Sequence, residues 1–170
     1  PNRKLSAKDM MDFMRDHYEG TPFDPTKDVA AGPFGSPYRF NPLSFEFKGK
    51  KYGFERPIST QQTGFTFVGQ MRNWLPDAVG GILWFGVDDA KFTVFVPMFA
   101  SITEVPWPYR QGNGDFTTFT WESAFWVHNW VAQMAYARYN QMIEDTMPMQ
   151  DALENQFVNN VKVVDQEAVR

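Results

Sequence analysis

The sequence predicts an α+β fold in which an antiparallel sheet packs against a long C-terminal helical hairpin. Three observations support this. The second half of residues 58–72 alternates between apolar and more polar side chains, and within residues 82–96 two apolar runs flank a polar tetrapeptide. From residue 121, apolar residues recur with helical spacing. Period-two alternation is typical of a half-buried strand, and a period near 3.6 is typical of an amphipathic helix. The 170 residues, 43% of them hydrophobic and 17% aromatic, suffice for one domain with an ordered core.

The chain begins with the features of a short helix. Ser6 is a favourable N-cap residue, and Asp9 stands three positions later, where an acidic side chain strengthens a helix start. Apolar residues follow as far as Tyr18, and Gly20 is the expected stop. We therefore predict a helix that starts after Ser6 and ends before Gly20.

Residues 21–57 contain six prolines and several glycines. This density excludes long helices and predicts an ordered loop. A loop of this length inside a compact domain is uncommon unless it is functional. We therefore expect the segment to form a wall or lid near a site.

Residues 58–72 predict a strand whose second half alternates between an apolar and a more polar face. Residues 82–87 and 92–96 predict a hairpin with the four-residue loop 88–91. Both strands of this hairpin are apolar on both faces. Such strands are expected to be covered on each side by other layers of the fold.

Residues 121–145 have the length and periodicity of the main helix, with most of its surface buried. Thr146 and Pro148 predict a break and restart, which leads into a second helix over residues 149–161. The remaining polar residues suggest a division into one domain, residues 1–162, and a polar tail, residues 163–170.

Composition excludes several classes of function. The net charge is −4 and the basic residues are scattered, so nucleic acid is not an expected partner. No apolar run reaches the roughly 20 residues that cross a bilayer, so no membrane partner is expected. The chain has no cysteine, which excludes disulfides, thiolate metal sites and a cysteine nucleophile within these residues. The compartment stays open.

Two histidines leave little material for a multi-histidine metal site or a Ser-His-Asp arrangement. His17 lies near three carboxylates, and its spacing matches no metal motif; we interpret it as a helix-end histidine that bonds local carbonyls, with a catalytic or metal role as the alternative. His128 stands among tryptophans and is interpreted as a hydrogen-bonded core or interface residue.

Two motifs carry a resemblance to a known family. They are Met14-Arg15-Asp16-His17-Tyr18-Glu19-Gly20-Thr21-Pro22-Phe23-Asp24 and Gly32-Pro33-Phe34-Gly35-Ser36-Pro37. Both resemble the bacterial cysteine dipeptidases of the PepD/secernin-like family, and the resemblance covers about residues 5–160. It implies part of an αββα sandwich of the N-terminal-nucleophile (Ntn) hydrolase type, with two antiparallel sheets between helical layers.

The same resemblance implies the chemistry. In that family a processed amino-terminal cysteine attacks the dipeptide carbonyl, its own α-amino group serves as the base, and the acyl-enzyme is hydrolysed. No metal or other cofactor is implied. Because members are longer and carry the cysteine far upstream, we interpret this chain as their C-terminal part. Its expected partners are the upstream polypeptide and a dipeptide substrate, and the chain alone is expected to be inactive.

Six polar residues are candidates for substrate binding in a cleft next to that nucleophile. Arg56 and Arg72 are suited to the substrate's terminal carboxylate, with solvated strand-end arginines as the alternative interpretation. Thr63 and Gln70 are polar supports on the same predicted strand. Glu19 or Asp24 is suited to the α-ammonium group, which a dipeptidase must recognise to reject longer peptides.

A function of a different class stays open at this stage. The aromatic loops and the Trp-rich helix also suit a non-catalytic binding or oligomerisation module that buries them against another domain or subunit. A homo-oligomer is therefore an expected form of assembly. The two hypotheses differ in whether loss of the candidate arginines changes catalysis.

Overall fold

The computed structural model describes residues 2–38, 44–53 and 56–170. Within these ranges the longer elements are, in chain order, α1 (Ala7–Met14), β1 (Ser44–Phe47), β2 (Lys50–Gly53), β3 (Phe65–Met71), α2 (Asp77–Gly80), β4 (Gly81–Val87), β5 (Val96–Phe99), α3 (Ala124–Ala137) and α4 (Tyr139–Ala168). Short 3-10 helices cover Pro25–Lys27, Val29–Ala31 and Trp107–Tyr109. Strands β1 and β2 pair antiparallel, and β3, β4 and β5 form a second antiparallel sheet in that order. The predicted α+β class is confirmed.

Helix α1 starts where the sequence predicts. The Ser6 side chain accepts a hydrogen bond from the backbone of Asp9 at 3.2 Å, and the Asp9 carboxylate accepts from the backbone of Ser6 at 2.7 Å. This reciprocal capping box satisfies two N–H groups at the helix start. The helix ends at Met14, well before the predicted glycine stop.

Within its described residues, the segment after α1 forms no long helix, as predicted. Asp24 and Asp28 each accept a backbone N–H two residues ahead and so begin two 3-10 turns. The hairpin of β1 and β2 was not predicted: Lys48 and Gly49 both have positive φ, 50° and 72°, as the tightest hairpin turns require. Residues 39–43 and 54–55 of the predicted loop lie outside the described residues.

The main core lies between one face of the three-stranded sheet and helices α1 and α4. Its buried members are Met11, Val68, Ile82, Trp84, Phe95 and Val161. The Trp84 indole N–H donates to the Gln70 side chain at 2.9 Å, which satisfies the polar atom of the largest core residue.

The opposite face of this sheet is exposed within the described residues. Phe65, Phe67 and Met71 are 61%, 53% and 79% exposed. The predicted alternation along β3 is confirmed, and its buried side is the one that carries Thr66 and Val68. The prediction that both faces are covered is not met by the residues that the structure describes.

The connection after β4 differs from the predicted four-residue loop. Strand β5 begins at Val96, not at residue 92, because side chains take the backbone groups that a longer ladder would use. Thr93 accepts from the Val87 N–H through its hydroxyl at 3.0 Å, and the Phe95 N–H donates to Glu154 at 2.9 Å. The result is an irregular, buried segment, residues 88–95, here called the 88–95 connection.

The break between the two long helices lies at Arg138, and the predicted break at Thr146 and Pro148 is wrong. Arg138 has φ −147° and ψ 55°, and α4 continues through Pro148. Proline removes one N–H donor from a helix, and here the site is exposed, so water can bond the freed carbonyl. At the break, the Asn140 N–H donates to Phe34 O at 3.0 Å. This bond anchors α4 to residues 15–38, the segment after α1 that is here called the N-terminal loop.

Helix α4 extends to Ala168, through the residues predicted as a polar tail. Helix α3 is less buried than predicted, since Trp130 and Met134 are 48% and 50% exposed. Among the described ranges, no helix has both the length and the apolar character that a bilayer crossing needs.

Candidate functional site

The 88–95 connection places four polar residues inside the protein. Asp88, Asp89, Lys91 and Thr93 are 7%, 2%, 8% and 0% exposed. Asp88 has φ 66°, a left-handed conformation that costs energy for a residue with a Cβ atom. Gly86 is required before it, because a Cβ at that position would lie 2.5 Å from Thr93 Cγ2.

Side chains from both long helices hold this connection. The Asp88 carboxylate accepts from Asn129 of α3 at 3.1 Å, and Gln150 of α4 donates to Lys91 O at 3.0 Å. The Val94 N–H donates to His128 Nε2 at 3.2 Å. Strained backbone that is fixed from several sides is characteristic of functional sites.

Asp89 is the most enclosed carboxylate of the connection. It accepts hydrogen bonds from the hydroxyl groups of Tyr38, at 2.7 Å, and Tyr136, and from the Lys91 N–H at 2.9 Å. Burial raises the pKa of Asp89, although the bonds from Lys91 and Tyr38 oppose that shift. Burial also raises the pKa of Tyr38, so its hydroxyl stays a donor. The group ties the N-terminal loop to α3.

His17 is fully buried beside this group. Its backbone N–H donates to Glu19 Oε2 at 2.8 Å, and its Nδ1 lies 3.3 Å from Glu19 Oε1. The ring packs edge-on against Tyr38 and Tyr139. The interpretation of a helix-end histidine that bonds carbonyls is wrong, because α1 ends earlier and the partner is a carboxylate. Among the described residues, no three His, Cys, Asp or Glu side chains group as metal ligands.

Glu19 forms an ion pair with Lys91 that is partly exposed to solvent. Its Oε1 accepts from Lys91 Nζ at 2.8 Å, and the two side chains are 38% and 9% exposed. Burial alone would raise the pKa of Glu19, but the hydrogen bonds from His17 and Lys91 together hold it well below its usual range. Glu19 is therefore anionic at neutral pH.

Two openings meet at this ion pair. The larger is a groove of about 690 Å³ between the N-terminal loop and α4, lined by Glu19, Lys27, Lys91, Tyr139 and Glu144 among others. The smaller is a recess of about 210 Å³ lined by Arg15, Asp16, Glu19, Lys91 and Gln150 among others. The groove falls within the roughly 300–1,000 Å³ typical of small-molecule sites.

Asp24 is part of the same loop and has a local structural role. It is 9% exposed, and its carboxylate accepts from the backbones of Gly20 at 3.1 Å and Thr26 at 2.9 Å. Burial works against these bonds, but the bonds from Thr26 and Gly20 prevail and lower the pKa of Asp24. Its oxygens fix the loop that forms one wall of the groove.

Arg56 and Thr63 do not line the groove that contains Glu19. Arg56 is exposed and lines a recess of about 70 Å³ with Tyr18, Tyr38 and Gln61 among others. The Tyr18 hydroxyl donates to Arg56 O at 3.0 Å. Thr63 lies in the turn before β3 rather than in the strand. No described cavity contains both Arg56 and Glu19.

Arg72 and Gln70 are engaged in the fold. Arg72 is 4% exposed and bonds Asp165 of α4 and Val79 O, so it ties the end of β3 to the C-terminal helix. Gln70 is the partner of Trp84 described above. The structure does not bring Arg72 to the groove, and the geometry favours a structural role.

Sequence reasoning missed Asp89, Lys91, Tyr38 and Tyr136. Residues 88–91 were interpreted as an ordinary hairpin loop. A usable signal was present: the flanking strands are apolar on both faces, and such strands lead into the interior, where charged residues need partners. His128 is hydrogen-bonded, as interpreted: Nδ1 lies 2.7 Å from Ala124 O, and Nε2 accepts from the Val94 N–H. It is partly buried.

Comparison with known proteins places the chain in a family. The sequence profile of peptidase family C69 matches residues 1–152, so the chain belongs to that family. The resemblance predicted from the sequence is confirmed.

Three relatives illustrate the match. A protein named "Probable dipeptidase" from Latilactobacillus sakei is 28% identical over 152 residues, which are 89% of this chain and 28% of the relative. "Dipeptidase A" from Lactobacillus helveticus is 26% identical over 140 residues, 81% of this chain and 25% of the relative. "Dipeptidase" from Bifidobacterium longum (strain NCC 2705) is 27% identical over 135 residues, 79% of this chain and 21% of the relative. The chain thus spans about a quarter of the length of these relatives.

Proposed function

We propose that this chain is the C-terminal portion of a cysteine-type dipeptidase and forms the substrate groove of the parent protein, the full polypeptide to which it belongs. The observation that carries the proposal is the family match over residues 1–152. The names of the relatives support a peptide hydrolase that acts on dipeptides. The anionic Glu19 at the groove supports recognition of an α-ammonium group.

The exposed sheet face supports an upstream partner segment. Phe65, Phe67, Met71 and Leu83 leave an apolar surface that a monomeric protein rarely shows to water. The relatives are about four times longer than the matched region, so the remaining polypeptide is long enough to cover this face. A second sheet packed there would give the αββα arrangement expected from the resemblance.

In the proposed reaction the thiol sulfur of an upstream amino-terminal cysteine attacks the carbonyl carbon of the dipeptide, while the cysteine α-amino group takes the thiol proton. The peptide C–N bond then breaks, the proton passes to the leaving amine, and a thioester remains. Water cleaves the thioester, which releases the second amino acid and restores the thiol. No residue of this chain supplies the nucleophile, since it has no cysteine.

The direct test is to isolate the parent protein and identify its mature amino-terminal residue by mass spectrometry. We expect cysteine at that position and hydrolysis of free dipeptides. Replacement of that cysteine by alanine should abolish turnover, and residues 1–170 alone should show none. Turnover that survives the replacement, or a parent that leaves dipeptides intact, would contradict the proposal.

One observation favours a second candidate, a binding or oligomerisation role. Phe119, Trp121 and Trp130 pack together, with ring centroids 4.7 Å and 5.3 Å from Trp121, yet remain 43%, 61% and 48% exposed. Aromatic residues are enriched in protein interfaces. Sedimentation of the parent protein with Trp121→Ser and Trp130→Ser should show a smaller species if this surface joins two copies. An unchanged sedimentation coefficient would remove the oligomer proposal.

A further inference from the structure

Lys91 has the surroundings of a ligand-binding cation. Its side chain is 9% exposed, and its ammonium group donates to Glu19 at 2.8 Å. Among the described residues, Glu19 is its only hydrogen-bond acceptor. An ammonium group has three N–H donors, so Lys91 has unused capacity at the edge of the groove.

The two members of this ion pair are held unequally. Glu19 keeps two contacts with His17 when Lys91 is absent, through the backbone N–H at 2.8 Å and through Nδ1 at 3.3 Å. Lys91 ends in a flexible four-carbon stem. A charged ligand that enters the groove would therefore move Lys91 and leave Glu19 in place.

The charges of Glu19 and Lys91 cancel each other at the edge of the groove. A free dipeptide carries one ammonium and one carboxylate group. Its ammonium group can replace Lys91 on Glu19, and the released Lys91 can take the carboxylate, so that one ion pair becomes two. A blocked peptide lacks the ammonium or the carboxylate group, and in a longer peptide the two groups are too far apart. Either substrate would leave Glu19 or Lys91 desolvated and unpaired.

Arg56 does not fit this arrangement. It lines a recess of about 70 Å³ that does not include Glu19, whereas Glu19 and Lys91 both line the groove and the 210 Å³ recess. The carboxylate of a small zwitterion bound at Glu19 is therefore closer to Lys91 than to Arg56.

We infer that Lys91 binds the terminal carboxylate of the dipeptide and, with Glu19, restricts the substrate to peptides with both ends free. This inference rests on the proposed dipeptidase function and assigns the specificity of that site. It also replaces Arg56 and Arg72 in the role that the sequence suggested for them.

The test compares a dipeptide with the same dipeptide amidated at its C-terminus, using the parent protein. In the unaltered protein the KM for the free dipeptide should be about 10- to 100-fold lower than that for the amide, the usual effect of one hydrogen bond to a charged group. Lys91→Gln should make the KM values for the free dipeptide and the amide equal, because the variant no longer distinguishes a carboxylate from an amide. Lys162→Gln, an exposed lysine on α4, is the matched control and should change neither.

A second variant keeps the test valid if Lys91→Gln alone fails to fold because Glu19 is left without a cation. The double variant Glu19→Gln, Lys91→Gln removes both charges together and should fold, since no buried charge is left unpaired. It should lose the preference for the free carboxylate. Retention of that preference, or an equal loss on both substrates, would overturn the assignment of Lys91. A parent protein that hydrolyses neither substrate before any substitution would instead overturn the proposed function, and this inference with it.

Discussion

Glu154 and Glu19 are both carboxylates paired with basic side chains, but their surroundings differ. Glu154 is fully buried and accepts bonds from Arg15, from Lys8 at 2.9 Å and from the Phe95 N–H at 2.9 Å. Glu19 is partly exposed at a groove, and its cation, Lys91, donates to it alone among the described residues. The first carboxylate is enclosed by the fold, whereas the second can exchange its partner. The difference separates an ion pair enclosed by the fold from one at the edge of a groove, for which we propose a binding role.

The largest expected effect concerns the structural pair. Glu154→Gln should lower the free energy of unfolding by about 3 kcal/mol, because it leaves the buried Arg15 with only the exposed Asp12 carboxylate, 3.6 Å away, as a counter-charge. Denaturant unfolding of the parent protein measures this. Glu167→Gln, exposed on the same helix, should change stability by less than about 0.5 kcal/mol. If the two variants were equally stable, the structural interpretation of Glu154 would be wrong.

Glu19→Gln should weaken both substrate binding and stability, because it removes the ammonium acceptor and leaves the buried Lys91 without its counter-charge. We expect the KM for free dipeptides to rise by about 10- to 100-fold, because the α-ammonium group loses its charged acceptor. The preference for the free dipeptide over the same dipeptide acetylated at its N-terminus should be lost. Glu144→Gln, on the wall of the same groove, is the control. A rise in KM with Glu144→Gln and none with Glu19→Gln would move the ammonium site to α4.

Arg72 tests the same comparison between structural and binding charges. The sequence suggests that it binds substrate, whereas in the structure it is buried and paired with Asp165. Arg72→Met and Asp165→Asn should each destabilise the fold by about 1–2 kcal/mol, since each removes a largely buried charge-assisted bond. Neither should change the KM for dipeptides once the protein is folded. A specific rise in KM for Arg72→Met alone would restore its role as a carboxylate ligand.

The smallest expected effect is a pH dependence at His128. Burial lowers the pKa of His128, opposed only in part by the bond to Ala124 and by the charge of Asp88. The unfolded chain therefore takes up a proton near pH 6.5 that the folded protein does not, and stability decreases as the pH falls below that value. The extra slope relative to His128→Gln should be up to about 1.4 kcal/mol per pH unit. Parallel stability curves for the two proteins between pH 5 and about pH 7 would contradict this account.

Local sequence predicts the elements whose stability is local. The start of α1 depends on Ser6 and Asp9, which are three residues apart, and the period of β3 is visible in its sequence. Which side of β3 is buried is not, because the more apolar side, with Phe65 and Phe67, is the exposed one. The late start of β5 could not be predicted in this way, because it depends on Glu154 and His128, which reach the connection from distant helices.

The candidate site follows the same division. The sequence predicts Glu19 or Asp24 as the ammonium ligand from their chemistry in a recognisable motif. It could not identify Lys91, since the importance of Lys91 comes from the fold that brings residues 72 positions apart into one ion pair. Nor could it show that Asp165 engages Arg72, because that contact joins residues 93 positions apart.

The most direct test of the central claim is a crystal structure of the proposed parent protein, with the proposed amino-terminal cysteine replaced by alanine, bound to an uncleaved dipeptide. The account predicts the ammonium group within about 3.2 Å of the Glu19 carboxylate, the carboxylate within the same distance of Lys91 Nζ, and upstream polypeptide packed on Phe65, Phe67 and Met71. A dipeptide bound away from the groove, with the Glu19–Lys91 pair intact, would contradict it.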